Sequence, residues 1–133
     1  MAKINRRKSV AADVGDVKVG GSNAGMSNHK SQELILRMVR RIAERFRPEQ
    51  IILFGSHARG MAGPDSDVDL LVVMPLDGTK HQKQVEIRCA LRDFPVPKDI
   101  IVTTPDDFAW RKKVPGTIER PASREGRVLY ARE

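Results

Sequence analysis

The amino-acid sequence predicts an α/β domain, a single mixed β-sheet flanked by helices. Three observations lead to that expectation. Short apolar runs rich in Ile, Leu and Val at residues 51–54, 67–73 and 99–103 have the length of buried strands and are too short for helices. Segments 31–47 and 79–94 space their apolar residues along one helical face. Turn formers mark the boundaries: Pro48, Pro75 with Asp77-Gly78, and Pro95 with Pro97. Helices and strands alternating in this order pack as layers against a sheet.

Residues 1–28 combine a basic cluster (Lys3, Arg6, Arg7, Lys8) with Gly15, Gly20, Gly21 and Gly25 and show no sustained period. They are expected to form a flexible, disordered tail, with residues 29–133 as the folded domain. Regular structure is expected to begin near Ser31, an N-cap with acidic Glu33 in the first turn. Leu34, Ile35, Met38, Ile42 and Phe46 form the inner face of that helix until Pro48 stops it. Arg37, Arg40, Arg41, Arg45 and Arg47 lie opposite, as a solvated face. Gly55-Ser56 ends the first strand at a turn that opens into a helical turn. After the second strand, a helix over 79–94 turns Ile87, Ala90, Leu91 and Phe94 inward, with Cys89 as core filler. Strand 99–103 leads to Thr104-Pro105-Asp106-Asp107, the cap and first turn of a helix reaching about Lys113. A further short helix is expected over 117–124. Pro121 shortens or shifts it, since a proline ring removes an N–H and clashes in a helix interior.

Composition narrows the function classes. A chain of 133 residues, 40% of them hydrophobic, suits one domain, and no apolar run approaches the ~20 residues of a membrane span, so no membrane partner is expected. The net charge of +7 is spread over several segments, which does not favour nucleic acid as the partner. The single cysteine excludes an internal disulfide, and with no secretory apolar stretch at the N-terminus the expected compartment is the cytoplasm. His29, His57 and His81 are scattered, without the Cys/His spacing of a tetrahedral zinc site.

The chemistry concentrates between Phe54 and Val73. Gly55-Ser56-His57-Ala58-Arg59-Gly60 follows a strand, and backbone N–H groups at such a turn are free to bind an anion. Asp65-Ser66-Asp67-Val68-Asp69-Leu70-Leu71 comes next. If this run is a strand, Asp67 and Asp69 leave the same face about 6.7 Å apart along the chain. Two carboxylates aimed one way suit a hard divalent cation. Mg²⁺ takes one or two protein carboxylates and completes its shell with water and phosphate oxygens, which the neighbouring cradle would bring.

The pattern G-S-x-A-R-G followed by S-D-x-D-L-L-V resembles the polymerase-β-like nucleotidyltransferases, and specifically the minimal nucleotidyltransferases. The resemblance spans roughly residues 31–130, including a closing strand near Glu125-Gly126-Arg127-Val128-Leu129-Tyr130. It implies a nucleotidyltransferase-like mixed sheet in one small domain. It also implies that Gly55 and Ser56 bind the triphosphate of ATP or another NTP, with Arg59 as a charge partner. Asp67 and Asp69 would bind two Mg²⁺ ions, and Asp99, which opens the third strand, would complete the site. The repulsion among three nearby carboxylates is relieved when divalent ions sit between them.

By the same resemblance the function is Mg²⁺-dependent transfer of NMP, in the first instance AMP from ATP, to a hydroxyl. One ion orients the triphosphate while the other activates the hydroxyl, with Asp99 as proton acceptor. By that resemblance the chain is expected to be a catalytic core without an acceptor-binding domain. Minimal members of this family act as antitoxins on a tyrosine of a HEPN-type helical toxin, so such a partner is expected. Two alternatives stay open: a small-molecule acceptor, for which a homo-oligomer would build the pocket, and inhibition of a partner by contact without turnover.

Overall fold

The computed structural model describes residues 26–63 and 66–132, so the basic cluster at Lys3 to Lys8, most of the expected tail, Pro64 and Asp65 lie outside the described residues. The elements run α1 (Met26–Phe46), β1 (Gln50–Phe54), β2 (Val68–Val73), α2 (Lys80–Ala90), β3 (Lys98–Thr103), α3 (Pro105–Arg111), α4 (Glu119–Glu125) and β4 (Arg127–Ala131). The four strands form one sheet in the order β3-β2-β1-β4. β2 and β3 are parallel, while β1 is antiparallel to both of its neighbours, so the sheet is mixed as expected.

Helix α1 begins earlier than the sequence reading places it. It starts at Met26, so Ser31 is not its N-cap and Glu33 is not in its first turn. Residues 26–30 hold no proline or glycine to delay it. At the other end Arg47 adopts a left-handed backbone (φ 50°), a common way to end a helix, and Pro48 follows. The face opposite the core is only partly solvated. Arg41 donates to the Ala90 carbonyl at 3.0 Å and pairs with Asp93, its guanidinium 4.7 Å from the centre of the Phe94 ring, which ties α1 to the chain after α2.

Helix α2 is shorter than 79–94. Thr79 caps it and forms a reciprocal capping box with Gln82, and the helix ends at Ala90 before a series of turns. Ile87, Leu91 and Phe94 are buried as expected. Cys89 is exposed, contrary to its reading as core filler: two positions beyond Ile87 on a 3.6-residue turn, it points away from the sheet. Thr104 caps α3, accepting from the Asp107 N–H, with Pro105 in the first turn. α4 starts at Glu119, which puts Pro121 among the first helical residues, whose N–H groups have no intrahelical acceptor.

The sheet has two buried faces. Against one, α1 and α2 pack Ile35, Met38, Ile42, Ile87 and Leu91 onto Ile51, Leu53, Leu70, Val72, Ile100 and Val102. Against the other, α4 and α3 bring Ala122 and Phe108 onto Ile52, Leu71, Val73 and Ile101. Each fully buried Ile or Leu stabilises by roughly 1.5–3 kcal/mol, so these two layers supply most of the force that holds the sheet. A polar trio, with Thr103 and Glu119 buried and Arg111 partly exposed, fastens the second layer. Glu119 accepts from the Thr103 hydroxyl at 2.7 Å and from Arg111 Nε at 3.1 Å. Burial opposes the charge on Glu119, but these hydrogen bonds outweigh it and hold the carboxyl below its ordinary range. One sheet edge is covered as well: the β3 Val102 N–H donates to Gln84 of α2 at 2.9 Å.

Candidate active site

Strand alternation fixes which side chains can meet. Asp69 and Asp99 share the parity of Leu71 and Ile101, so they lie on the sheet face covered by α3 and α4. Those helices are only seven residues each and shield the Leu71 and Val73 end. The Asp69 end stays open. Asp69 is half-buried and Asp99 exposed, and they are direct partners in the parallel β2–β3 register. Asp67 precedes β2 by one residue and is exposed.

Gly55 follows β1, whose last residue Phe54 is the register partner of Asp69. Its backbone is left-handed (φ 77°), and a Cβ there would overlap Asp69 Oδ2, with Asp69 Cγ at 3.2 Å. A glycine is required on both counts. The chain then makes a helical turn: Ala58 and Arg59 N–H donate to the Gly55 carbonyl at 3.1 and 3.2 Å, and Met61 N–H to that of Ser56 at 2.9 Å. Among the described residues, the Ser56 and His57 N–H groups donate to no backbone carbonyl. This is the arrangement that favours an anion.

The charges around Asp69 act on its carboxyl. Burial raises the Asp69 carboxyl above its ordinary value, and the charges of Asp99 and Asp67 raise it further, with His57 and Arg59 acting in the opposite sense. Among the described residues no three His, Cys, Asp or Glu side chains stand close enough to hold a metal ion by themselves. In kind, the donor set fits Mg²⁺: hard carboxylate oxygens, a coulombic strain that a cation relieves, and an adjacent anion cradle. Mg²⁺ is typically bound by one or two carboxylates together with substrate phosphate, not by an all-protein cage.

Asp67, Asp69, Asp99, Gly55 and Ser56 therefore come together at one end of the sheet. Arg59 lies at the same end but pairs with Glu125, the last residue of α4, at 3.6 Å. Three features escaped the sequence reading. His57 donates from Nε2 to the Ser66 carbonyl at 3.2 Å and so ties the turn to the chain entering β2. Glu125 holds Arg59, and Arg88 of α2 reaches Asp99, its Nη2 lying 3.6 Å from Oδ1. No local pattern announces such pairs, because their partners are brought together only by the sheet.

The fold and the sequence both have known relatives. A crystal structure of a provisionally named nucleotidyltransferase from Sulfolobus solfataricus superposes with a TM-score of 0.51 at 24% identity, covering 80% of this chain and 89% of that one, which shows a shared fold. A toxin–antitoxin crystal structure with AMP-PNP is more distant, at a TM-score of 0.47 and 18% identity over 71% of this chain and 70% of that one. A provisionally named protein adenylyltransferase of Methanocaldococcus jannaschii is 36% identical over 88 residues, 65% of this chain and 82% of the relative. The nucleotidyltransferase domain family matches residues 35–123, from within α1 to within α4, so the chain belongs to that family and is a transferase.

Proposed function

We propose that the chain transfers AMP from ATP to a protein hydroxyl, specifically a tyrosine of a HEPN-type helical partner. The observation that supports this most is the pairing of Asp69 with Asp99 in register beside a glycine whose missing Cβ makes room for the Asp69 carboxylate. Asp67, Asp69 and Asp99 would hold two Mg²⁺ ions, which when bound neutralise phosphate charge and lower the pKa of the acceptor hydroxyl. The N–H groups of Gly55, Ser56 and His57, with the Ser56 hydroxyl, hold the β- and γ-phosphates. Arg59 adds positive charge beside them once it turns from Glu125. Asp99, on the exposed side of the pair, accepts the proton as the acceptor oxygen bonds to the α-phosphorus and the bond to the bridging oxygen breaks, releasing pyrophosphate.

The choice of AMP and of a protein acceptor draws support from the Methanocaldococcus jannaschii relative, which carries the name of an enzyme adenylylating protein. The tyrosine and the HEPN partner rest on the likeness to minimal nucleotidyltransferases. The test is transfer from ATP labelled at the α- or the γ-phosphate, with Mg²⁺, in extract of the cells that produce the chain. The expected result is α-label, and no γ-label, on one protein, recovered after complete proteolysis as a tyrosine-linked nucleotide. Transfer of γ-label, or α-label confined to small molecules, would overturn the reading.

A further inference from the structure

We propose that Arg88 is a built-in counter-charge at the acidic end of the sheet, competing with the divalent cation for Asp99. The inference rests on the reading of Asp99 as an ion ligand and adds to it a residue that sets how tightly the ion is held before nucleotide arrives. Among the described residues, two arginines at this end stand against carboxylates. Arg59 is held by Glu125, which stands outside the carboxylate set, whereas the partner of Arg88 is Asp99 itself, Nη2 to Oδ1 at 3.6 Å. Asp99 is in turn the register partner of Asp69, whose carboxyl its charge perturbs.

The placement follows from the helix. Ile87 and Leu91 anchor one side of α2 in the core, and Gln84 fastens it to the β3 backbone at Val102, so Arg88 in the last turn projects over the start of β3. Both side chains of the pair are about half exposed (49% and 51%), which makes the contact weak enough to exchange for a stronger ligand. A divalent ion at Asp99 meets the guanidinium as a like charge. Binding of the ion therefore requires Arg88 to swing away, and a triphosphate arriving with the ion gives the released guanidinium an anion to face. Such competition ties occupancy of the carboxylates to the presence of nucleotide.

Equilibrium Mn²⁺ binding to the full chain, measured without nucleotide from the electron paramagnetic resonance signal of free Mn²⁺, tests this directly. Arg88→Gln is expected to bind Mn²⁺ about three- to tenfold more tightly than wild type, while Arg88→Lys, which keeps the charge, stays close to wild type. A purely structural role predicts the opposite direction, because loosening α2 from β3 would weaken the site and lower the melting temperature. Unchanged or weaker Mn²⁺ binding by a folded Arg88→Gln would overturn the proposal while leaving the carboxylate site standing. Wild-type Mn²⁺ binding that Asp69→Asn fails to weaken would overturn both.

Discussion

Asp69→Asn is expected to lower nucleotidyl transfer by at least about a hundredfold while leaving the melting temperature unchanged or raised. The two effects have one origin. The Asp69 carboxylate is held against burial and against the charges of Asp99 and Asp67, so in the absence of a cation its ionised form costs stability. The amide keeps the shape and removes the charge. The pH dependence has a definite sign. Below the ordinary carboxylate value Asp69 is protonated in both the folded and the unfolded chain and contributes nothing. As the pH rises from there to the raised folded value, the unfolded chain ionises first and the folded state loses stability; above that value the penalty is constant. In metal-free buffer the advantage of Asp69→Asn over wild type should be absent at the acid end and complete at neutral pH. Thermal melts across that range check it, and an asparagine variant that is destabilised at neutral pH, or that retains near wild-type transfer, contradicts the assignment.

The second large effect is expected at Gly55. Gly55 and Gly60 both have left-handed backbones, at φ 77° and 72°, but a Cβ on Gly60 would meet nothing within 4 Å. Gly60→Ala should therefore cost only the left-handed penalty, roughly 1–2 kcal/mol, and leave transfer close to normal. Gly55→Ala adds the overlap with the Asp69 carboxylate and must displace it. A loss of about 2–4 kcal/mol is expected, with transfer reduced at least about a hundredfold. Comparing the two variants by chemical denaturation and by transfer rate isolates the close approach from the backbone strain. If Gly55→Ala proves as mild as Gly60→Ala, the contact between turn and carboxylate does not matter.

Much of this fold is written in local pattern. The strands at 51–54, 67–73 and 99–103 were legible because short apolar runs sit between breakers, and the observed elements differ from them by a residue at an end: β1 begins at Gln50, β2 at Val68 and β3 at Lys98. Alternation alone puts Asp67 and Asp69 on one face. What alternation does not contain is pairing. Asp99 stands beside Asp69 because β2 and β3 are parallel in that register, and only the resemblance to a known family pointed there from the sequence. The helix ends were less legible. Nothing local fixes the start of α1, and the turns after Ala90 keep Leu91 and Phe94 buried without continuing the helix, so a helical apolar spacing outlasts the helix itself. Arg88, Glu125 and the buried Glu119 belong to contacts across the tertiary structure, which residue type and spacing do not encode.

The measurement that bears most directly on the carboxylate site is the anomalous diffraction of Mn²⁺ in crystals of the chain grown with a nonhydrolysable ATP analogue. The expected result is Mn²⁺ ligated by Asp67 and Asp69, with Asp99 completing the second ion's shell and the β- and γ-phosphates lying against the Gly55-Ser56 turn. Mn²⁺ bound away from these carboxylates, or a triphosphate seated elsewhere on the molecule, would contradict the account.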